Sequence, residues 1–197
     1  MLIIGLTGSI ASGKSTIADV FRRKHISVFD SDKSVHDLMA PKGAAVATIL
    51  SHFKECGSEK TGIDRVKLGQ MVFQDKDKLK QLESILHPLV FKQREQFLQQ
   101  QQHLYAKAVI LDVPLLFETK TDTLCDVTMM AWAPLFLIKQ RALRRPHMTD
   151  EKLQSILKSQ MSMHEKAKLA DEKIATGLGH GYMMAKINRL CSKWHLQ

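Results

Sequence analysis

Residues 8–15 read Gly8-Ser9-Ile10-Ala11-Ser12-Gly13-Lys14-Ser15 and match G-x-x-x-x-G-K-[ST] at every fixed position. The run follows an almost wholly apolar segment, Leu2-Ile3-Ile4-Gly5-Leu6. It precedes a stretch from Lys14 to Lys24 in which Ile17, Val20 and Phe21 recur at helical spacing. Strand, small-residue turn and helix in that order make a phosphate cradle. Small residues let the backbone curl so that its N–H groups converge, and the helix adds the positive end of its dipole. In such a P-loop a lysine, here Lys14, reaches the β- and γ-phosphates and a hydroxyl, here Ser15, ligates Mg²⁺. Gly8 to Ser15 are therefore the candidate nucleotide-binding residues, with a nucleotide and Mg²⁺ as the expected ligands.

A cradle of this kind establishes nucleotide binding and leaves the reaction open. Thr119-Lys120-Thr121-Asp122 has the T/N-K-x-D form of a guanine reader, but no D-x-x-G stands anywhere in the chain to sense a γ-phosphate. It also precedes the strand-like Val127 to Trp132 rather than following a later strand. It reads as a polar loop.

The remaining pattern alternates. Ile26 to Phe29, Ala108 to Val113, Val127 to Trp132 and Lys173 to Ala175 read as strands. Leu135 to Arg144, the segment after Thr149 and Tyr182 to Trp194 read as helices. Thr149 is the expected N-cap, with Asp150 and Glu151 in the first turn. From Val35 to His103 the periodicity is helical, with Pro88 placed to open a new helix at its first position. That block is too long for a simple crossover and reads as a helical insertion. Strand–helix alternation implies a parallel sheet covered on both faces, an α/β fold in three layers.

With 197 residues and 44% hydrophobic content, the chain can fill one α/β unit and an insertion. Lys plus Arg number 29 against 20 Asp plus Glu, and the resulting +9 favours polyanions: nucleotides, nucleic acid or acidic membranes. No RRM, KH or zinc pattern accompanies it, so no nucleic-acid partner is expected. No apolar run approaches the ~20 residues of a membrane span, and Leu2 to Leu6 is too short for a signal-peptide core. Cys56, Cys125 and Cys191 form no C-x-x-C pair. They suit reduced thiols in a cytoplasmic protein, Cys125 buried beside a strand.

Asp30 and Asp32 sit where the second strand ends, the side on which open α/β sheets bind ligands. A carboxylate there can take a hydroxyl proton during phosphoryl transfer, or Ser31 or Asp32 can cap the next helix. Asp112 ends the third strand and could touch Mg²⁺ or simply stand at the sheet's end. Arg141, Arg144 and Arg145 form a basic cluster in which Arg141 and Arg145 share a helix face, fit for phosphate oxygens, for a solvated face or for an RNA patch. His36, His87 and His164 lack metal-ligand spacing.

Across nearly the whole chain the pattern resembles the dephospho-CoA kinase family. The resemblance rests on Thr7 to Thr16 (TGSIASGKST), and on Asp30, Asp32 and His36 as D-x-D-x-x-x-H. It continues through Ile63-Asp64-Arg65 with Leu68, Leu82 to Pro88 (LESILHP), Pro114-Leu115-Leu116-Phe117-Glu118, the pair Arg141 and Arg145, Gln160, and Ala170-Asp171. The resemblance implies a P-loop kinase that moves the γ-phosphate of ATP to the 3′-hydroxyl of 3′-dephospho-CoA. Its product is CoA, in the last step of CoA synthesis. A nucleoside or nucleotide kinase of the same fold is the alternative.

The same resemblance implies three parts: a nucleotide-binding core (1–32, 105–136 and 170–197), a helical domain for the CoA precursor (33–104) and a helical lid (137–169). By position it makes Asp32 the general base. Lys14 and Arg141 become catalytic cations, and Arg145 and Thr16 nucleotide contacts. Thr7, His36, Arg65, His87 and Leu115 fall on the acceptor side. A monomer or weak homo-oligomer is expected. Ser9 and Ala11 replace glycines common in the family's loop, which the cradle tolerates unless the backbone there needs a positive φ. Thr176-Gly177-Leu178 replaces Asn-x-Gly.

Overall fold

The computed structural model describes residues 1–73, 75–146 and 148–196. In chain order the elements are β1 (Leu2–Gly8), α1 (Lys14–Arg23), β2 (Ser27–Asp30), α2 (Ser31–Met39), α3 (Val46–His52), β3 (Gly57–Ser58), β4 (Gly62–Ile63), α4 (Arg65–Phe73) and α5 (Lys76–His103). Then follow β5 (Ala108–Asp112), a 3₁₀ turn (Thr121–Leu124), β6 (Val127–Trp132), α6 (Leu135–Leu143), α7 (Asp150–Ser159), α8 (Met163–Leu169), β7 (Glu172–Ala175) and α9 (His180–Lys193). The chain divides into two compact units, Met1–Phe29 with Gln101–Gln197, and Asp30–Gln100.

The first unit is built on a sheet of order β2-β5-β1-β6-β7. The pairs β1–β5, β1–β6 and β6–β7 are parallel, with Leu6 opposite Asp112, Gly8 opposite Ala131 and Trp132 opposite Ala175. β1 is central and the chain leaves it toward both edges, so the strand order reverses there, the arrangement that opens a ligand crevice at the carboxyl ends. Both faces are buried. Ile4, Leu6, Ile110, Met129, Ala131 and Ile174 pack with Ile17 and Phe21 of α1 and Met183, Ile187 and Leu190 of α9. That is why the strands read as continuous apolar runs rather than alternating ones.

On the opposite face Gly5 has no room for a side chain. A Cβ there would lie 2.8 Å from Cys125 Sγ and 2.9 Å from a Leu116 methyl. Cys125 itself, the residue that ends the 3₁₀ turn, is half-buried rather than buried.

The segment 137–169 holds most of α6 and all of α7 and α8. Thr149 caps α7, accepting from the Lys152 N–H at 3.2 Å as its sequence indicated. Ser162 and Glu165 close a reciprocal capping box at the start of α8.

The second unit has its own core: Leu38, Met39, Val46, Ile49, Phe53, Leu68, Leu82 and Leu86. Helices dominate it, as the periodicity predicts, but two features differ from that reading. The antiparallel pair β3–β4 interrupts the helices, and at two residues a strand it is too short to carry a periodic signal. Pro88 does not start a helix; it lies inside the 28-residue α5. An internal proline costs about 3 kcal/mol. Here Leu82 and Leu86 before it and Leu89 and Val90 after it pack on the same core, so the helix stays continuous across the missing N–H.

Candidate active site

The loop from Gly8 to Gly13 leaves β1 and runs straight into α1, which starts at Lys14 with no side-chain cap. The first N–H groups of a helix have no partner within it, so an uncapped start offers them to an anion. The turn is held tight by the Ser12 N–H donating to Ser9 O at 3.1 Å. Gly8 is pressed so closely that a Cβ would meet Ser12 Oγ at 2.5 Å and Ala131 O at 3.1 Å. Gly13 takes φ 90°. Among the described residues Ser12 Oγ is buried with no hydrogen-bond partner, an unmet polar group facing into the loop. These features fit a bound phosphate chain.

Ala11 stands at φ 56°. The condition attached to its replacement of a glycine is therefore met, and the loop carries strain there. The left-handed region costs a residue with a Cβ about 1–2 kcal/mol, partly offset by the larger unfolded-state entropy of glycine. Ala11→Gly is expected to raise stability by up to about 1 kcal/mol, read as a higher urea midpoint at unchanged slope. A lower midpoint would mean that the loop is not strained at this residue.

Lys14 Nζ lies 2.5 Å from Asp112 Oδ1. Asp112 is 2% exposed and ends β5, so its carboxylate stands beside the mouth of the cradle and fixes the direction of the lysine. Among the described residues no group of three or more His, Cys, Asp or Glu is disposed to hold a metal ion. The exposed Ser15 in the first turn of α1 fits a Mg²⁺ that arrives with nucleotide phosphates rather than one resident in a protein cage.

Arg141, in the last turn of α6, donates from one guanidinium nitrogen to Thr176 Oγ1 at 3.1 Å and from the other to Thr176 O at 2.9 Å. Thr176 Oγ1 donates in turn to Ser12 O at 2.6 Å. Arg144 and Arg145 are exposed beyond the helix end.

Thr7 is fully buried and donates to Pro114 O at 2.9 Å. The same carbonyl accepts from Lys166 Nζ at 2.6 Å, and Lys166 also pairs with Glu118 at 2.9 Å. Glu118 accepts the Met161 N–H as well. Thr7 and the Pro114–Glu118 loop carrying Leu115 are thus pinned by a lysine of 0% exposure. Lys166 and Thr176 escaped the sequence reading as site residues. Lys166 belongs to a short helix with Lys168 two positions on, and nothing in composition separates the buried lysine from the solvated one. Thr176 registered only as a departure from Asn-x-Gly.

In the second unit Asp30, not Ser31 or Asp32, caps α2: its carboxylate accepts the Lys33 N–H at 3.0 Å. The strand ends one residue later than the apolar run suggests, so the cap shifts back to its last residue. Asp32 and His36 are exposed one turn apart on α2. Arg65 opens α4, whose start is capped by Asp64 through the Val66 and Lys67 N–H groups. On α5 the His87 ring stacks on Phe91 with centroids 5.9 Å apart, and the Arg94 guanidinium lies 4.8 Å from the Phe91 centroid.

A sequence profile of dephospho-CoA kinases matches residues 2–177. The chain belongs to the dephospho-CoA kinase family. Similar proteins include the dephospho-CoA kinase of Rhodospirillum rubrum, 47% identical over 178 residues, covering 90% of this chain and 84% of that one. That of Bartonella quintana is 40% identical, covering 90% of each. A Thermus thermophilus crystal structure superposes with a TM-score of 0.83 at 28% identity, covering 98% of this chain and 97% of that one. Dephospho-CoA kinase from Campylobacter jejuni gives 0.65 at 25% identity, covering 98% and 96%. The parallel sheet, cradle and flanking helices are those of a P-loop kinase, so this dephospho-CoA kinase family member is an ATP-dependent phosphotransferase.

Proposed function

We propose that the chain transfers the γ-phosphoryl group of ATP to the 3′-hydroxyl of dephospho-CoA, giving CoA and ADP, and that the residues described above divide the work. Family membership over residues 2–177 supports the reaction. The braced cradle with Lys14 held at its mouth supports the residue roles. The acceptor oxygen forms the new P–O bond while the bond from the γ-phosphorus to the bridging oxygen breaks and ADP departs. The hydroxyl proton passes to the Asp32 carboxylate. Gly8 to Thr16 bind the phosphate chain, Lys14 and Arg141 offset charge on the transferring group, and Arg145 adds a nucleotide contact. Ser15 would hold Mg²⁺ together with the phosphates, and the ion would neutralise charge developing on them. His36, Arg65, His87 and Leu115 orient the acceptor, while Thr7, buried with its hydroxyl donated to Pro114 O, holds the loop that carries Leu115.

Segment 137–169 acts as a lid, its closure excluding water so that the γ-phosphate meets the acceptor rather than solvent. No helix among the described residues is long and apolar enough to cross a membrane. We place the protein in the cytoplasm as a monomer or weak homo-oligomer whose +9 charge serves phosphorylated substrates rather than nucleic acid.

An ADP-release assay with dephospho-CoA and a panel of nucleosides tests the assignment. Turnover is expected with dephospho-CoA, and mass spectrometry of the product should find one added phosphate on the ribose 3′ oxygen. Turnover of a nucleoside with none of dephospho-CoA would assign the chain to a different acceptor.

A further inference from the structure

Thr176 joins three parts of the first unit. Its backbone N–H donates to Trp132 O at 2.9 Å, fixing it at the ends of the adjacent strands β6 and β7. Its hydroxyl donates to Ser12 O at 2.6 Å, inside the phosphate cradle. The same oxygen accepts from Arg141 at 3.1 Å while its carbonyl takes the second guanidinium nitrogen at 2.9 Å. The side chain also fills the space over Gly13, where a Cβ would lie 2.9 Å from Thr176 Cβ and Cγ2. A hydroxyl has one proton to give and lone pairs to receive with, so a single atom can give to Ser12 and receive from Arg141 at once. A methyl in its place can do neither.

The geometry points to Thr176 as a positioning residue that sets Arg141 against the Ser12–Gly13 turn, so that the arginine and the cradle meet the nucleotide phosphates as one preassembled unit. This rests on the reading of Arg141 as a phosphate contact. A guanidinium on a long side chain is spread over many rotamers, and holding it in place before ATP arrives removes an ordering cost from binding. The bidentate hold on side chain and main chain fixes the plane of the fork, which decides whether it can face phosphate oxygens. Thr176 itself need not touch ATP for this.

Binding of Mg²⁺-ATP, measured by titration calorimetry without acceptor, tests the inference independently of which hydroxyl the enzyme phosphorylates. Thr176→Val keeps the shape and the packing over Gly13 but removes the hydroxyl's bonds to Ser12 O and Arg141, together with its longer 3.3 Å approach to Trp132 O. Hydrogen bonds to charged groups contribute about 1.5–3 kcal/mol, so ATP affinity is expected to fall about tenfold or more in T176V. It should stay near the wild-type value in T176S, which restores the hydroxyl. The decisive arm is the cycle with Arg141→Ala. If Thr176 acts through Arg141, the T176V loss should shrink to about twofold or less once the arginine is gone, a departure from additivity expected of directly coupled residues. Equal losses with and without Arg141 would overturn the inference. So would an unchanged ATP affinity in T176V, or a T176S protein as weak as T176V. Failure of Arg141→Ala itself to weaken ATP binding would instead sink the phosphate-contact reading on which the inference stands.

Discussion

Lys14→Ala is expected to lower kcat/KM by roughly 10³ or more while the protein stays folded, since a single preorganised donor to a transition state contributes about 10²–10³ and a full charge more. Two effects add. The ammonium that we propose meets the β- and γ-phosphates is lost. The Asp112 carboxylate, which stands 2.5 Å from that ammonium at the end of β5, then presents its negative charge to the same phosphates. Asp112 is almost wholly buried, so water screens it little. Lys14→Arg should recover part of the rate, because it keeps the charge but not the compact shape. ADP release in steady state, with a thermal melt of each variant, decides the matter. Activity of Lys14→Ala within tenfold of wild type would mean that the cradle is not the working phosphate site.

Asp32→Asn is expected to lower kcat by about 10²–10⁴ with both substrates still bound, the range associated with loss of a general base. Asparagine keeps the size and most hydrogen bonds but cannot take the proton from the attacking hydroxyl. Asp30 provides the control. Its carboxylate caps α2 through the Lys33 N–H, and asparagine caps a helix about as well as aspartate. Asp30→Asn should therefore leave both fold and rate close to wild type. Because Asp32 is not the cap, its substitution does not remove the helix's anchor, and a drop in rate reads as chemistry. Calorimetric affinities for ATP and dephospho-CoA beside kcat for the two variants settle which carboxylate acts. A rate lost in Asp30→Asn and kept in Asp32→Asn would reverse the assignment.

The cradle was legible because its parts are consecutive: eight residues carry turn, lysine and hydroxyl, and the flanking periodicities name the strand and the helix. The buried strands were legible for a related reason, since a parallel strand covered on both faces must be apolar throughout. Legibility ends where an outcome depends on distant partners. Asp30, Ser31 and Asp32 are all competent caps, and only the end of β2, set by the sheet, selects Asp30. Pro88 is a fair helix start in isolation, and only the core beneath both halves of α5 overrides it. The bracing of Arg141 joins residues 12, 141 and 176, which no local pattern connects.

Lys166 has a consequence outside catalysis. Its ammonium, spent on Pro114 O and Glu118 and shut off from solvent, is withheld from acylating reagents as long as the protein stays closed around it. A neighbour such as Lys168, exposed on the same helix, has no such shelter. Covalent labelling of amines would therefore read the helix as two populations, one modified at once and one only as fast as α8 lifts from the Pro114–Glu118 loop. The buried pair thus acts as a built-in clock for the lifting of α8.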